Sequence, residues 1–232
     1  MDFPDLNSIQ DKHYIEQIYI VAITYPHFSQ KYRQSVTCLA GLTEENEWRR
    51  IYPVSAKWIT EAGIKKGDEI EYRIRNEQPE HRYESRKIYP ETLKLTGEHK
   101  SIKNMNFKTN SLSYATEQGM SLVVIEPTII AVSMNKRGIP KNIRSKHDFF
   151  SMKLPLYYPK YKFGDRNDML QIHNCSCEDM EYVRKCDRLQ EQGYDAIYKE
   201  LLLPFKDSGV LFVMGTHYVF NTWLIISIIN ST

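Results

Sequence analysis

Hydrophobic positions recur at every second residue over much of this chain, and the strands they predict fall into two groups. From Tyr14 to Tyr25, Ile15, Ile18, Ile20 and Ala22 stand among polar neighbours in a segment rich in β-formers, which predicts a first strand. Ser35–Gly41 and Glu47–Val54 flank the polar turn Thr43-Glu44-Glu45-Asn46 and predict a hairpin. Gly67 supplies a bend, and Glu69–Arg75 follows with Ile70, Tyr72 and Ile74 on one face. Ile88–Leu95 completes the group. Five short strands within about 80 residues is the count of an OB-like barrel, and equally of an SH3-like one; alternation alone does not separate them.

Residues 98–118 are polar and lack a period, which predicts a linker or a long loop. The pattern then restarts. Ser121–Met134 is apolar enough for a strand and is broken by Pro127, Asn135–Lys146 reads as a basic loop, and Tyr157–Phe163 alternates aromatic with basic residues. From Glu178 to Leu203 the period lengthens to that of a helix in two pieces separated at Gly193. Val210–Met214 and Asn221–Ile229 form a closing hairpin around Gly215-Thr216-His217. The expected architecture is mainly β (α+β): two tandem OB-like or SH3-like small barrels, over residues 1–97 and 119–232, the second with a helical insertion at about 178–203.

Composition narrows the class. Hydrophobic residues make up 41% and charged residues 26% of the 232, which excludes a disordered tail or fibrous repeat. The longest apolar run, Leu224–Ile229, is of strand length, so no membrane partner is expected. The acidic N-terminus resembles no secretory signal, and four cysteines make no disulfide framework, which together point to a reduced, cytoplasmic protein. Sixteen tyrosines favour sheets, and also suit a surface that stacks flat ligands.

The net charge of +2 hides an asymmetry. Residues 99–163 hold eleven basic residues against three acids, so the stretch carries +8 and the remainder −6. Clustered cations release counterions from a phosphate backbone on binding, so Lys136, Arg137, Lys141, Arg144, Lys160 and Lys162 are candidate contacts to single-stranded DNA or RNA. Trp48, Arg50 and Tyr52 share one face of a strand and are candidates for base stacking and phosphate pairing together. The competing reading buries Trp48 and Tyr52 and turns Arg50 onto a carboxylate such as Asp68 or Glu84.

Several motifs together resemble a known family. Ser29-Gln-Lys-Tyr-Arg-Gln-Ser-Val-Thr-Cys-Leu-Ala-Gly41, followed by Glu47-Trp-Arg-Arg-Ile-Tyr-Pro-Val54, is similar to the opening of the dual-OB-containing domain family of bacterial proteins. Tyr83-Glu-Ser-Arg86, Ser121-Leu122 through Glu126-Pro-Thr-Ile129, Pro155–Phe163, and Met214-Gly-Thr-His217 with Trp223-Leu-Ile-Ile226 continue the resemblance in order. It implies two OB-like barrels, nucleic-acid binding by analogy of fold, and a neighbourhood of conflict systems and mobile elements in which an effector protein would be a partner. It implies no particular enzymatic activity.

The chain departs from the family where relatives carry Cys-x-x-His-x-Met followed by an Asp-Trp-Glu triplet. Here Cys175-Ser-Cys177-Glu178-Asp-Met180 puts Glu178 in place of the histidine, and Arg184-Lys-Cys186 replaces the triplet. Read from the residues themselves, His173, Cys175 and Cys177 fall on one side of an extended strand, and zinc needs four convergent ligands, so Glu178, Cys186 or His217 would have to complete the set. Ordinary cysteines packing at a helix start fit the same pattern, and no cofactor is expected. Asp165, Asp168, Glu178, Asp179 and Glu181 are near one another in sequence. They are the carboxylates that a metal-dependent nuclease, the alternative function, would need. They also suit helix capping. A Cys/His nucleophile pair using Cys38 or Cys186 has no positional support. The expected function is a non-catalytic nucleic-acid-binding module serving an effector encoded elsewhere; a protein-interaction or ligand-sensing subunit is the further alternative.

Overall fold

The computed structural model describes residues 15–75, 82–136, 157–189, 191–205, 209–217 and 222–230. The protein is mainly β. The first half contains β1 (Ile15–Ile23), β2 (His27–Ser29), β3 (Gln34–Leu42), β4 (Trp48–Ser55), the short helix α1 (Ala56–Glu61), β5 (Asp68–Arg73), β6 (Ser85–Arg86) and β7 (Lys94–His99). These strands make one sheet in the order β6-β4-β3-β1-β5-β7, with β2 folded onto β3. After α2 (Leu112–Glu117), the second half contains β8 (Leu122–Ile125), β9 (Pro127–Lys136), β10 (Tyr157–Asp165), β11 (Asp168–Ser176), helices α3 (Met180–Leu189) and α4 (Tyr194–Leu201), then β12 (Val210–Thr216) and β13 (Trp223–Asn230). Its strands form two three-stranded sheets, β11-β10-β9 and β13-β12-β8.

The pairings repeat. In the first half β1 pairs with β3 and β5, β3 with β4, and β4 meets β6 in parallel. An antiparallel bridge between Ile74 and Ile88 brings the segment after β6 back to the end of β5. In the second half β8 and β9 form one strand bent at Pro127, pairing with β12 at one end and β10 at the other. Beyond β11, a parallel bridge from Cys177 to Ile225 reaches β13. Counted as five positions, the first half runs β1, β3 (with β2), β4, β5 and β6–β7, and the second runs β8–β9, β10, β11, β12 and β13; in both, the helical segment lies between the third and fourth positions.

Three apolar clusters follow from the alternation. Ile18, Ile20, Ile23 and Leu39 point with Ile51, Ile70, Tyr72 and Ile59 of α1 into the core of the first half. Val123, Ile125, Phe212, Met214, Ile225 and Ile228 point with Tyr161, Phe163 and helices α3 and α4 into the core of the second. The remaining faces meet each other: Val21, Ala22, Ala40 and Leu42 pack on Leu122, Val124, Val213, Ile226 and Ile229. The β8-β12-β13 sheet is therefore covered on both faces, which explains the continuous apolar runs Leu122–Ile125 and Leu224–Ile229. Burying those faces supplies the main drive for joining the halves, at about 25 cal/mol per Å² of apolar surface.

Two expectations change. The predicted fifth strand, Ile88–Leu95, is a bridge at Ile88, a 3-10 turn over Pro90–Thr92 and then β7, because Pro90 cannot donate to a ladder. The segment 98–118 is not a loose loop: Met105, Leu112 and Ala115 are buried, and Ser111 caps α2 by accepting from the Tyr114 amide at 3.0 Å. The segment around His173 and Cys175 is extended as expected, as the end of β11, which begins at Asp168. Gly67 behaves as expected. Its φ is +93°, and a Cβ there would meet the Lys100 carbonyl oxygen at 2.5 Å.

Candidate nucleic-acid interface

Strand β4 does not present Trp48, Arg50 and Tyr52 on one exposed face. Arg50 is 6% exposed, and its guanidinium crosses to the second half, where Nη1 donates to the Thr216 carbonyl at 3.2 Å and Nη2 to the Ser121 carbonyl at 2.6 Å. Its guanidinium is turned away from solvent, and among the described residues it pairs with no carboxylate. Glu84, beside it in the joint, is 3% exposed and accepts from the Ser121 hydroxyl. The reason is that β4 lies between two packed layers, so Arg50 and its neighbour Ile51 are both covered. Trp48 is half-buried and stacks on Phe107 of the connecting segment, with ring centres 6.4 Å apart and planes 23° apart.

Tyr52 alone of the three reaches solvent broadly, at 40% exposure. It belongs to a cluster that sequence reading missed. The His27 ring stacks on Tyr52 with centres 5.9 Å apart and planes 11° apart, and its Nε2 lies 3.2 Å from the Tyr52 hydroxyl. Tyr32 meets Tyr52 edge-on at 6.5 Å, and the Lys31 ammonium sits 5.4 Å from the centre of the Tyr32 ring. Arg33 is exposed beside them. The hairpin of β2 and β3 brings these residues to Tyr52, and no acid occurs between Thr24 and Thr43. That acid-free aromatic–basic run was the available signal.

In the second half, the outer face of β9, β10 and β11 carries the lysines. Lys160 lies in register with Ser133 and Ser176, and Lys162 with Ala131 and Asn174. Their register neighbours are small or uncharged, and among the described residues neither ammonium group makes an ion pair; Lys162 is exposed. Exposed Lys136 ends β9. Tyr161 and Phe163 point inward and are fully buried, so the alternation of this strand separates cations from aromatics instead of mixing them. Arg137, Lys141 and Arg144 lie outside the described residues.

His173, Cys175 and Cys177 do share one side of their strand, but that side faces the core. Burial pushes the Cys175 thiol up to about 11 and the Cys186 thiol up to about 12, and raises Cys177 well above its usual range. With no metal beside them such thiols are neutral and pack as small apolar groups. His173 packs against Phe163, ring centres 5.5 Å apart, and its Nε2 is buried without a partner. Among the described residues, no group of three or more His, Cys, Asp or Glu is placed to hold a metal ion.

The five carboxylates are likewise not gathered. Asp165 accepts from the Leu112 amide at 2.9 Å and the Asn167 amide at 3.0 Å, and Asp168 accepts from the Ser113 hydroxyl. Asp179 caps α3 through the Glu181 amide at 3.0 Å, also accepts from the Ile228 amide at 2.8 Å, and pairs with Lys66. Glu181 is exposed. Both buried acids, Asp165 and Asp179, are taken up by backbone N–H groups.

A cleft of about 170 Å³ opens at the joint between the halves. Leu42, Asn46 and Trp48 line it from the β3–β4 hairpin, Phe107 and Lys108 from the connecting segment, and Leu122 from the second half.

A family described as "Domain of unknown function (DUF8758)" matches residues 14–113, which covers the described first half and the connecting segment as far as the start of α2. No curated protein matches the chain. Among solved structures, one described as "Molecular basis for abrogation of activation of pro-inflammatory cytokines" is 11% identical, covers 97% of both chains and has a TM-score of 0.33. "Crystal structure of Ifi202 HINa domain in complex with 20bp dsDNA" is 12% identical over 94% of this chain and 96% of that one, also at 0.33. "Structural mimicry for functional antagonism" is 12% identical over 97% of both, at 0.31. Scores this low carry no weight for function. Among the described residues, no helix is long and apolar enough to cross a membrane.

Proposed function

We propose that this protein is a non-catalytic module that binds single-stranded nucleic acid through two OB-like barrels. The observation that carries the reading is that the exposed cationic and aromatic groups occupy related places in the two halves. In an OB barrel the ligand face is formed by the second and third strands with the loop joining the first two. Tyr52 is on the third strand position of the first half, and His27, Lys31, Tyr32 and Arg33 are in the connection between the first and second. Lys160 and Lys162 are on the second strand position of the second half. A helix between the third and fourth positions and a parallel meeting of third with fifth favour the OB-like order over the SH3-like one. The resemblance to the dual-OB family extends the proposal to an accessory role beside an effector encoded elsewhere.

The test is fluorescence anisotropy of labelled DNA and RNA oligomers at two salt concentrations. Binding should be detectable at about 50 mM salt with micromolar protein and should weaken steeply as salt rises. Lys160→Gln with Lys162→Gln should lower the salt slope by up to about two units, one for each lost phosphate contact. Wild-type protein that binds neither oligomer would remove the proposal.

A protein partner is the second reading. Ile130 and Ile172 are 50% and 63% exposed on the strands flanking those lysines, and a face of two isoleucines around two cations also suits an acidic, partly apolar protein surface.

A further inference from the structure

We infer that the cleft between the halves is a pocket for one nucleobase. The inference takes its choice of ligand from the single-strand reading and adds a site distinct from the exposed patches. Three features point to the ligand. The Trp48 and Phe107 rings, stacked with planes 23° apart, line the cleft together with the apolar side chains of Leu42 and Leu122. The volume of about 170 Å³ suits a single ring system, since pockets for drug-sized ligands start at about 300 Å³.

Hydrogen-bonding groups at the rim are spare. Among the described residues, the Trp48 indole N–H and the side-chain amides of Asn46 and Asn106 make no hydrogen bond, and Lys108 makes no ion pair. Amides both donate and accept, as the edge of a base requires. Glu44 and Glu45, exposed on the same hairpin turn, disfavour a phosphate there, whereas Lys108 is the one cation among the lining residues. The ring therefore enters the cleft and any sugar-phosphate is held on the Lys108 side. Each wall comes from a different part of the chain, so the pocket exists only when both halves are docked.

A base can come from a free nucleoside or from an unstacked position in a strand, and two titrations distinguish them. Tryptophan fluorescence is followed as adenosine, guanosine, cytidine or uridine is added, and anisotropy is followed with the labelled oligomers. The variants are Asn106→Ala, at an exposed position with no bond to lose, and Phe107→Leu, which keeps an apolar side chain. For a free base, at least one nucleoside quenches saturably, and both variants weaken it about five-fold or more. For a base within a strand, nucleosides give no signal, and both variants weaken oligomer binding by a similar factor with the salt slope unchanged. Nucleoside binding without any oligomer binding keeps the pocket and removes the strand-binding function. Oligomer binding that both variants leave intact, with no nucleoside signal, keeps the function and overturns the pocket.

Discussion

The Lys66 ammonium lies 2.5 Å from Asp179 Oδ2, and the carboxylate is completely buried. Lys66 precedes β5 in the first half, and Asp179 opens α3 in the second. A carboxylate removed from water needs every lone pair answered. This one accepts from Lys66, from the Glu181 amide at the start of its own helix, and from the Ile228 amide on β13. A single side chain thus ties together a loop of one half and a helix and a strand of the other.

Asp179→Ala should accordingly cost about 3–5 kcal/mol, because it strands the Lys66 charge and two amides at once. Lys66→Met should cost less, since Asp179 keeps its two amide donors. Urea denaturation of the two single variants and the double variant gives the coupling energy. Additive losses would show that the pair does not act as one.

Arg50→Met keeps the aliphatic stem and removes the guanidinium. The Thr216 carbonyl then loses its Arg50 donor and the Ser121 carbonyl keeps only the Thr216 amide, so stability should fall by about 1–3 kcal/mol. The salt slope of oligomer binding should stay at the wild-type value, because Arg50 faces the second half and not solvent. A lowered slope in a variant of unchanged stability would restore Arg50 as a phosphate contact.

Tyr32→Leu and Tyr52→Leu act at exposed rings, so each should change stability by no more than about 0.5 kcal/mol. If bases stack on this cluster, each should weaken oligomer binding by about 1–3 kcal/mol and leave the salt slope alone. Anisotropy beside a thermal melt separates the two effects.

Alkaline pH should destabilise the fold. An unfolded cysteine ionises near 8.5, whereas burial holds Cys175 to about 11 and Cys186 to about 12. The folded state then binds more protons than the unfolded one above about pH 8.5, so stability falls as pH rises, by up to about 1.4 kcal/mol per thiol per pH unit, until the folded thiols ionise. Buried Tyr72 and partly buried Tyr182, whose phenols are also raised by desolvation, add to the decline at still higher pH. Melts at pH 7.5 and 9.5 test this. Iodoacetamide with mass analysis should find Cys175, Cys177 and Cys186 unmodified at pH 7.5 until the protein is denatured.

Much of the strand pattern was legible because each of those strands keeps one apolar face. Ile18, Ile20, Ile70 and Tyr72 announce β1 and β5 by alternation alone, and the polar turn at Thr43–Asn46 announces the β3–β4 hairpin. Of β11, only the extended run at His173–Cys177 was legible, and its start at Asp168 was not. Ile172 points outward, and Gln171, His173 and Asn174 are poor strand formers, so its pairing with β10 decides its conformation. α2 was missed because two buried residues, Leu112 and Ala115, make too short a period to notice. Arg50 was placed on the correct strand with the wrong surroundings. Period two says which residues share a side, and only the packing of one half on the other says what covers that side. The Tyr52 cluster needed the fold of a hairpin that alternation does not mark, since β2 is three residues long.

The doubly covered β8-β12-β13 sheet also fixes a length. Two modules on a flexible tether search independently, and the gain from joining them varies smoothly with the tether. Here the sheet that completes one core is the floor on which the other half rests, so the His27–Tyr52 patch and the Lys160–Lys162 face are held apart like the jaws of a calliper. If one strand occupies both surfaces, as proposed, that spacing is imposed on it. Oligomers too short to touch both jaws should bind with the affinity of one, and affinity should rise in a single step at the length that first spans them.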